Sequence, residues 1–129
     1  MRCAEVMRTD VHCLRQEADA RTAAKLMDEL GVALLPVCDA RARLVGSVTA
    51  FELATRVCST DGRPSGCRVL DVMSTSVAAC HPGDDVQVAG ELMSELHEPR
   101  VFVVDQDDVV QGIITPDEIA RAGQPPVPS

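Results

Sequence analysis

At 129 residues the chain is the size of one compact domain. Its formal net charge of −8 sets it against a phosphate backbone, and an aromatic content of 2% leaves few platforms for stacking bases or sugars, so nucleic acid is not an expected partner. No segment approaches the roughly 18 apolar residues of a membrane span, and Arg2, Glu5, Arg8 and Asp10 break any apolar run that could act as a signal peptide. No membrane partner is expected and the cytoplasm is the expected location.

In chain order, a short helical turn before Met7 leads into a brief strand near Val11 to Leu14. Ala20, Ala23, Ala24, Met27 and Leu30 then recur at helical spacing behind Asp19, whose carboxylate suits an N-cap. Two apolar runs follow, Leu34 to Cys38 and Leu44 to Val48, separated by the turn-like stretch from Asp39 to Arg43, and together they read as a buried hairpin. A second helix begins at Thr49. The stretch from Ser59 to Gly66 is rich in Gly, Pro and Ser and reads as a connector.

The same order then recurs. An offset of 66 positions lays Met73 on Met7 and, without a gap, Asp85 on Asp19, Leu92-Met93 on Leu26-Met27, Val103 on Val37, Asp105 on Asp39, Gly112 on Gly46, Thr115 on Thr49 and Glu118 on Glu52. Each copy is β-α-β-β-α. Residues 1–58 form the first repeat, 59–66 the linker and 67–121 the second repeat. The Pro-rich stretch 122–129 reads as a disordered tail.

These residues resemble a known pattern. Val6-Met7 and Val72-Met73, the segment Leu35-Pro36-Val37-Cys38-Asp39, and the closing Gly46-Ser-Val-Thr49 and Gly112-Ile-Ile-Thr115 make each unit similar to a CBS domain, and the pair similar to a Bateman module. The resemblance implies an α+β fold in which two β-α-β-β-α repeats are related by a pseudo-twofold axis, with sheets packed together, helices outside and two clefts between the repeats. It further implies a homodimer, no required cofactor, and a small adenosyl ligand (AMP, ADP, ATP or S-adenosylmethionine) whose binding regulates a partner protein that the sequence does not identify. Catalysis is not expected. An alternative is a ligand-free module for dimerisation and protein interaction, and a thiol sensor is a third reading.

In family members that bind nucleotides the closing motif runs Gly-apolar-apolar-Thr/Ser-x-x-Asp, and its Thr/Ser and Asp hold ribose hydroxyls or phosphate. Here Thr49 and Thr115 match, whereas Glu52 and Glu118 stand at the Asp position. Both also fit a capping box, with Thr at N-cap and Glu at N3, and Pro116 suits N1. Asp117, whose counterpart is Phe51, could give the second copy a carboxylate that the first lacks. Arg100, opposite Leu34, is the candidate cation for phosphate, against a reading as a solvated edge-strand arginine. Thr9 and Thr75 lie where the family offers backbone contacts to a base. Arg56 and Arg121 suit helix C-termini.

The six cysteines, Cys3, Cys13, Cys38, Cys58, Cys67 and Cys80, show no C-x-x-C pair and read as free, mostly buried thiols. His12-Cys13 and Cys80-His81 have the right atoms for zinc. They are not repeat mates, however, and adjacent strand residues face opposite ways, so no metal site is expected. No Gly-x-Ser-x-Gly, P-loop or G-x-G-x-x-G is present, and His12, His81 and His97 lack a nucleophile partner.

Overall fold

The structure, a computed structural model, describes residues 1–59 and 67–123. It is α+β, and each repeat supplies one three-stranded sheet. The first copy contains α1 (Cys3–Val6), β1 (Leu14–Arg15), α2 (Ala20–Leu30), β2 (Leu34–Cys38), β3 (Leu44–Thr49) and α3 (Ala50–Ser59). The second contains α4 (Val69–Val72), β4 (Ala79–Cys80), α5 (Val86–Leu96), β5 (Val101–Val104), β6 (Val110–Ile114) and α6 (Pro116–Gly123). The brief first strand starts at Leu14, later than the pattern from Val11 suggests, because only Leu14 and Arg15 reach ladder partners, Val37 and Cys38. Most of the expected linker and tail lie outside the described residues.

The chain divides into two compact units that are not the sequence repeats: a continuous unit, His12–Val77, and a composite unit of Met1–Val11 with Ala78–Ser129. In the continuous unit β1 pairs parallel with β2, which pairs antiparallel with β3. The apolar core gathers Leu14, Ala23, Met27, Leu35, Val37 and Val48 with Val69 and Val72 of α4. The short helix α4, which follows α3 in this unit, therefore comes from the second repeat's sequence.

Local chemistry accounts for the element ends. The Asp19 carboxylate accepts the Thr22 N–H at 2.7 Å as N-cap of α2, and Gly31 ends that helix in the left-handed region at φ 67°. At the β2–β3 turn, Asp39 accepts the N–H groups of Arg41 and Arg43 at 2.9 and 3.0 Å, and Ala42 takes φ 64°. Ser74 adds a rung to β3 by exchanging hydrogen bonds with Ser47 at 2.8 and 2.9 Å, which covers an otherwise bare sheet edge.

The composite unit repeats this plan. β4 runs parallel to β5, and β5 antiparallel to β6. Cys3, Ala78, Cys80, Ala89, Val101, Val103 and Ile114 form its core. Asp85 caps α5 through the Gln87 N–H at 2.9 Å, and His97 ends it at φ 51° where the other copy has Gly31. Asp105 accepts from Asp107 and Val109, with Asp108 at φ 64°. Arg8 exchanges hydrogen bonds with Ile113 at 2.9 and 3.0 Å, matching Ser74 and Ser47.

Candidate functional site

The eight ligand-binding candidates sort between the units. The continuous unit holds Thr49, Glu52 and Thr75, and the composite unit holds Thr9, Arg100, Thr115, Asp117 and Glu118. In each unit a methionine-bearing segment crosses the motif glycine. A Cβ on Gly46 would lie 2.6 Å from the Ser74 carbonyl oxygen and 2.9 Å from the Met73 sulfur, so only glycine admits that segment. Thr75 and Thr9 follow these crossings, and both side chains are exposed.

Two copies of one motif make different hydrogen bonds. In the continuous unit the capping box is complete: the Glu52 N–H donates to Thr49 Oγ1 at 3.0 Å, and Glu52 Oε1 accepts the Thr49 N–H at 3.0 Å and its hydroxyl at 3.2 Å. In the composite unit the box expected from sequence does not form. The Thr115 hydroxyl donates to Glu118 Oε2, while the Glu118 N–H goes to the Thr115 carbonyl oxygen at 3.1 Å. Glu118 is 3% exposed, and its Oε1 is buried without a hydrogen-bond partner. Such an oxygen costs about 1–3 kcal/mol and calls for a ligand or water.

The flanking charges explain the difference. Arg121 Nη2 stands 3.5 Å from Glu118 Oε2, and Arg8 is close enough for Glu118 to favour its charged form, after the larger effect of Asp10. The counterparts are Thr55, whose hydroxyl turns back to the Phe51 and Glu52 carbonyls, and Ser74. Arg121 thus draws the Glu118 carboxylate from the helix end, whereas Thr55, which stands in its place in the first copy, offers Glu52 no charge. Arg8 is the residue that sequence reasoning missed. Setting it against Ser74 in the repeat register would have exposed it.

Asp117 is exposed on the first turn of α6. Arg100 precedes β5 rather than lying in it, and pairs with Glu98 at 3.6 Å, so the edge-strand reading does not apply. Arg121 also donates to the Asp117 carbonyl oxygen at 3.4 Å, consistent with a helix-end role, whereas the Arg56 side chain lies outside the described residues.

Cys3, Cys13, Cys38, Cys67 and Cys80 are free thiols among the described residues. Cys13 is exposed, an exception to the expected mostly buried thiols, while Cys80 is buried beside exposed His81. The hydrogen bond with Cys38 lowers the Cys13 pKa, and the same bond, with burial, raises that of Cys38. No group of three or more His, Cys, Asp or Glu with metal-holding geometry occurs among the described residues, and no described helix is long and apolar enough to cross a membrane.

Comparison with known proteins gives these features a setting. Residues 3–59 and 69–124 each match the CBS domain. The chain is 31% identical over 118 residues to homoserine O-acetyltransferase of Methanobrevibacter ruminantium, which covers 91% of this chain but 23% of that enzyme. It is 29% identical over 116 residues to the CBS domain-containing protein YhcV of Bacillus subtilis, covering 90% and 81%. The chain thus spans about a quarter of the transferase and most of the small protein. Among solved structures, Hypoxic Response Protein I with two coordinated zinc ions superposes with a TM-score of 0.84 at 23% identity, covering 95% of this chain and 98% of that one. CBSX2 of Arabidopsis thaliana in complex with AMP gives 0.76 at 27%, covering 94% of each. A CBS domain pair in complex with 5′-methylthioadenosine and S-adenosyl-L-methionine gives 0.79 at 22%, covering 95% and 94%.

Proposed function

Because the chain belongs to the CBS domain family and carries the domain twice, we propose that it is a regulatory module that binds an adenosine-containing ligand and alters a partner protein when occupied. AMP, ADP, ATP and S-adenosylmethionine are the ligands in view. Glu118 carries the reading: it stands where the family places its ribose-binding Asp, and its buried Oε1 lacks the donor that a ribose hydroxyl would bring. Thr115 shares that carboxylate, and Asp117 adds a second one in the same turn. Arg8 and Arg100 are held by exposed or half-exposed carboxylates that a phosphate can displace at little cost. The AMP complex of CBSX2, a relative of similar length, supports the ligand class.

The module acts as a homodimer in the cytoplasm and performs no catalysis of its own. A thermal-shift panel of adenosine compounds, with and without magnesium, tests the binding. A ligand at a hundred times its dissociation constant stabilises the fold by about 2.7 kcal/mol. Glu118→Ala is expected to weaken binding about tenfold or more and Glu52→Ala to leave it nearly unchanged. No shift with any compound at millimolar concentration overturns the reading.

A ligand-free interaction module is the second reading, favoured by one observation: the Glu52 carboxylate is taken up by its own helix end. It predicts unchanged melting across the panel and a partner recovered on the immobilised chain.

A further inference from the structure

Cys3 in α1 and Cys80 in β4 lie 77 residues apart in sequence, yet their sulfurs stand 3.5 Å apart inside the composite unit. The Cys80 thiol donates to Cys3, and the Cys3 thiol donates to the Asp85 carbonyl oxygen at 3.7 Å. Both side chains are buried, at 0% and 2% exposure. We propose that Cys3 and Cys80 are a reversible disulfide site, and that closing it locks the Met1–Val11 segment onto the second repeat's sheet.

The repeat supplies an internal comparison. At the offset of 66 positions the counterparts of Cys3 and Cys80 are Val69 and Leu14, both buried in the core of the continuous unit. Packing at this place is thus met by two ordinary aliphatic side chains. The composite unit instead has two touching thiols, a pair that bonds covalently once the sulfurs close to about 2.05 Å. Among the described residues the opening segment meets its sheet through non-covalent contacts. It is held by the Cys3 and Ala4 N–H groups on the Asp84 and Pro82 carbonyls at 2.8 and 3.0 Å, and by the Arg8–Ile113 pair.

The oxidant is a low-molecular-weight disulfide, RSSR. One protein thiol loses its proton to solvent, and the thiolate attacks a sulfur of RSSR, which breaks the S–S bond and releases one RS⁻ that takes up a proton. The second protein thiolate then attacks the protein sulfur of this mixed disulfide and expels the second RS⁻. Two electrons pass from the protein to the oxidant, giving one protein disulfide and two RSH. Burial, then the hydrogen bond to Cys3, the Cys3 charge and Asp84, push the Cys80 pKa up to about 12, and burial also raises that of Cys3, so neither is a ready thiolate while the segment is closed. Reaction therefore follows opening of the α1 segment and captures it on reclosure.

The test equilibrates the full chain with glutathione disulfide at neutral pH, in water and in urea below the unfolding midpoint, then quenches with acid and maps linked peptides by mass spectrometry. A linked Cys3–Cys80 peptide is expected, two hydrogens lighter than the reduced pair and restored by dithiothreitol. In the oxidised protein the Cys3, Ala4, Met7 and Arg8 amides are expected to exchange at least about tenfold more slowly. Cys80→Leu and Cys3→Val, which install the sister residues, should each abolish the link and the slowing, and Cys80→Ala checks that loss of the link is not an effect of overpacking. Recovery of only Cys13–Cys38 or glutathione adducts, with Cys3 and Cys80 unlinked in both conditions, overturns the proposal. A Cys3–Cys80 link that leaves amide exchange unchanged overturns the lock.

Discussion

Gly112 lies directly beneath Met7: a Cβ on the glycine would stand 2.7 Å from the Met7 sulfur and 2.6 Å from the Arg8 carbonyl oxygen. The close approach lets Arg8 hydrogen-bond Ile113 and seals the edge of β6, as Ser74 seals β3 above Gly46. Gly112→Ala and Gly46→Ala are each expected to destabilise the fold by about 1–3 kcal/mol, read as a lower urea midpoint. Adding Met7→Ala to Gly112→Ala should recover little, because the flexible thioether can move and the backbone carbonyl cannot.

Ala42 and His97 hold left-handed conformations without being glycine, at φ 64° and 51°. Ala42→Gly and His97→Gly should each stabilise by a few tenths to about 1 kcal/mol, relief of the Cβ strain being partly offset by the freedom glycine gains in the unfolded chain. Gly31→Ala, at the site matching His97, should lose about 1 kcal/mol. Thermal unfolding of the three variants checks the signs.

Glu52 and Glu118 should respond oppositely in the absence of ligand. Glu52→Ala removes two acceptor bonds from the capped end of α3 and is expected to cost about 1 kcal/mol. Glu118→Gln retains an acceptor for Thr115 while replacing the buried, unpartnered carboxylate oxygen by an amide, so stability should hold or rise. Denaturant titration of both variants decides this.

Among the described residues, three carboxylates with lowered pKa values contribute to the acid response. The Thr22 hydroxyl and N–H lower the pKa of Asp19, the Arg43 N–H leads in lowering that of Asp39, and the Gln87 N–H, then the N-terminal amine, lower that of Asp85. Folded pKa values below the unfolded ones mean that this stabilisation is complete above the unfolded Asp value of about 3.9 and is lost as pH falls through the folded values. The melting temperature should therefore be flat in these terms from neutrality to about pH 5 and fall below about pH 4. Replacing Asp19, Asp39 and Asp85 together by Asn should flatten the fall, as seen in melting curves across acid pH.

Where side chains act on backbone a few residues away, the sequence was a reliable guide. Asp19 and Asp85 cap the helices they precede, and Asp39 and Asp105 organise the hairpin turns, because these bonds depend on local spacing. The same reasoning failed at Thr115–Glu118, where the spacing matches Thr49–Glu52 but Arg121 and Arg8 pull the carboxylate elsewhere. Which sheet receives α1 was also hidden, since Val6-Met7 and Val72-Met73 carry the same short apolar signal. Only packing at long range sends the first to β6 and the second to β3. The Cys3–Cys80 contact depends on that crossing and was hidden with it.

The crossed opening helices bear on how such a chain can be divided or inherited. A gene fragment ending after the first repeat would encode β1, β2 and β3 but lack the residues that cover Gly46, and it would carry an α1 whose own sheet is missing. The complementary fragment would lack Met7 above Gly112. Neither repeat alone is a self-sufficient folding cassette. A single stretch of gene, His12–Val77, encodes the continuous unit whole, whereas the composite unit draws on two separated stretches.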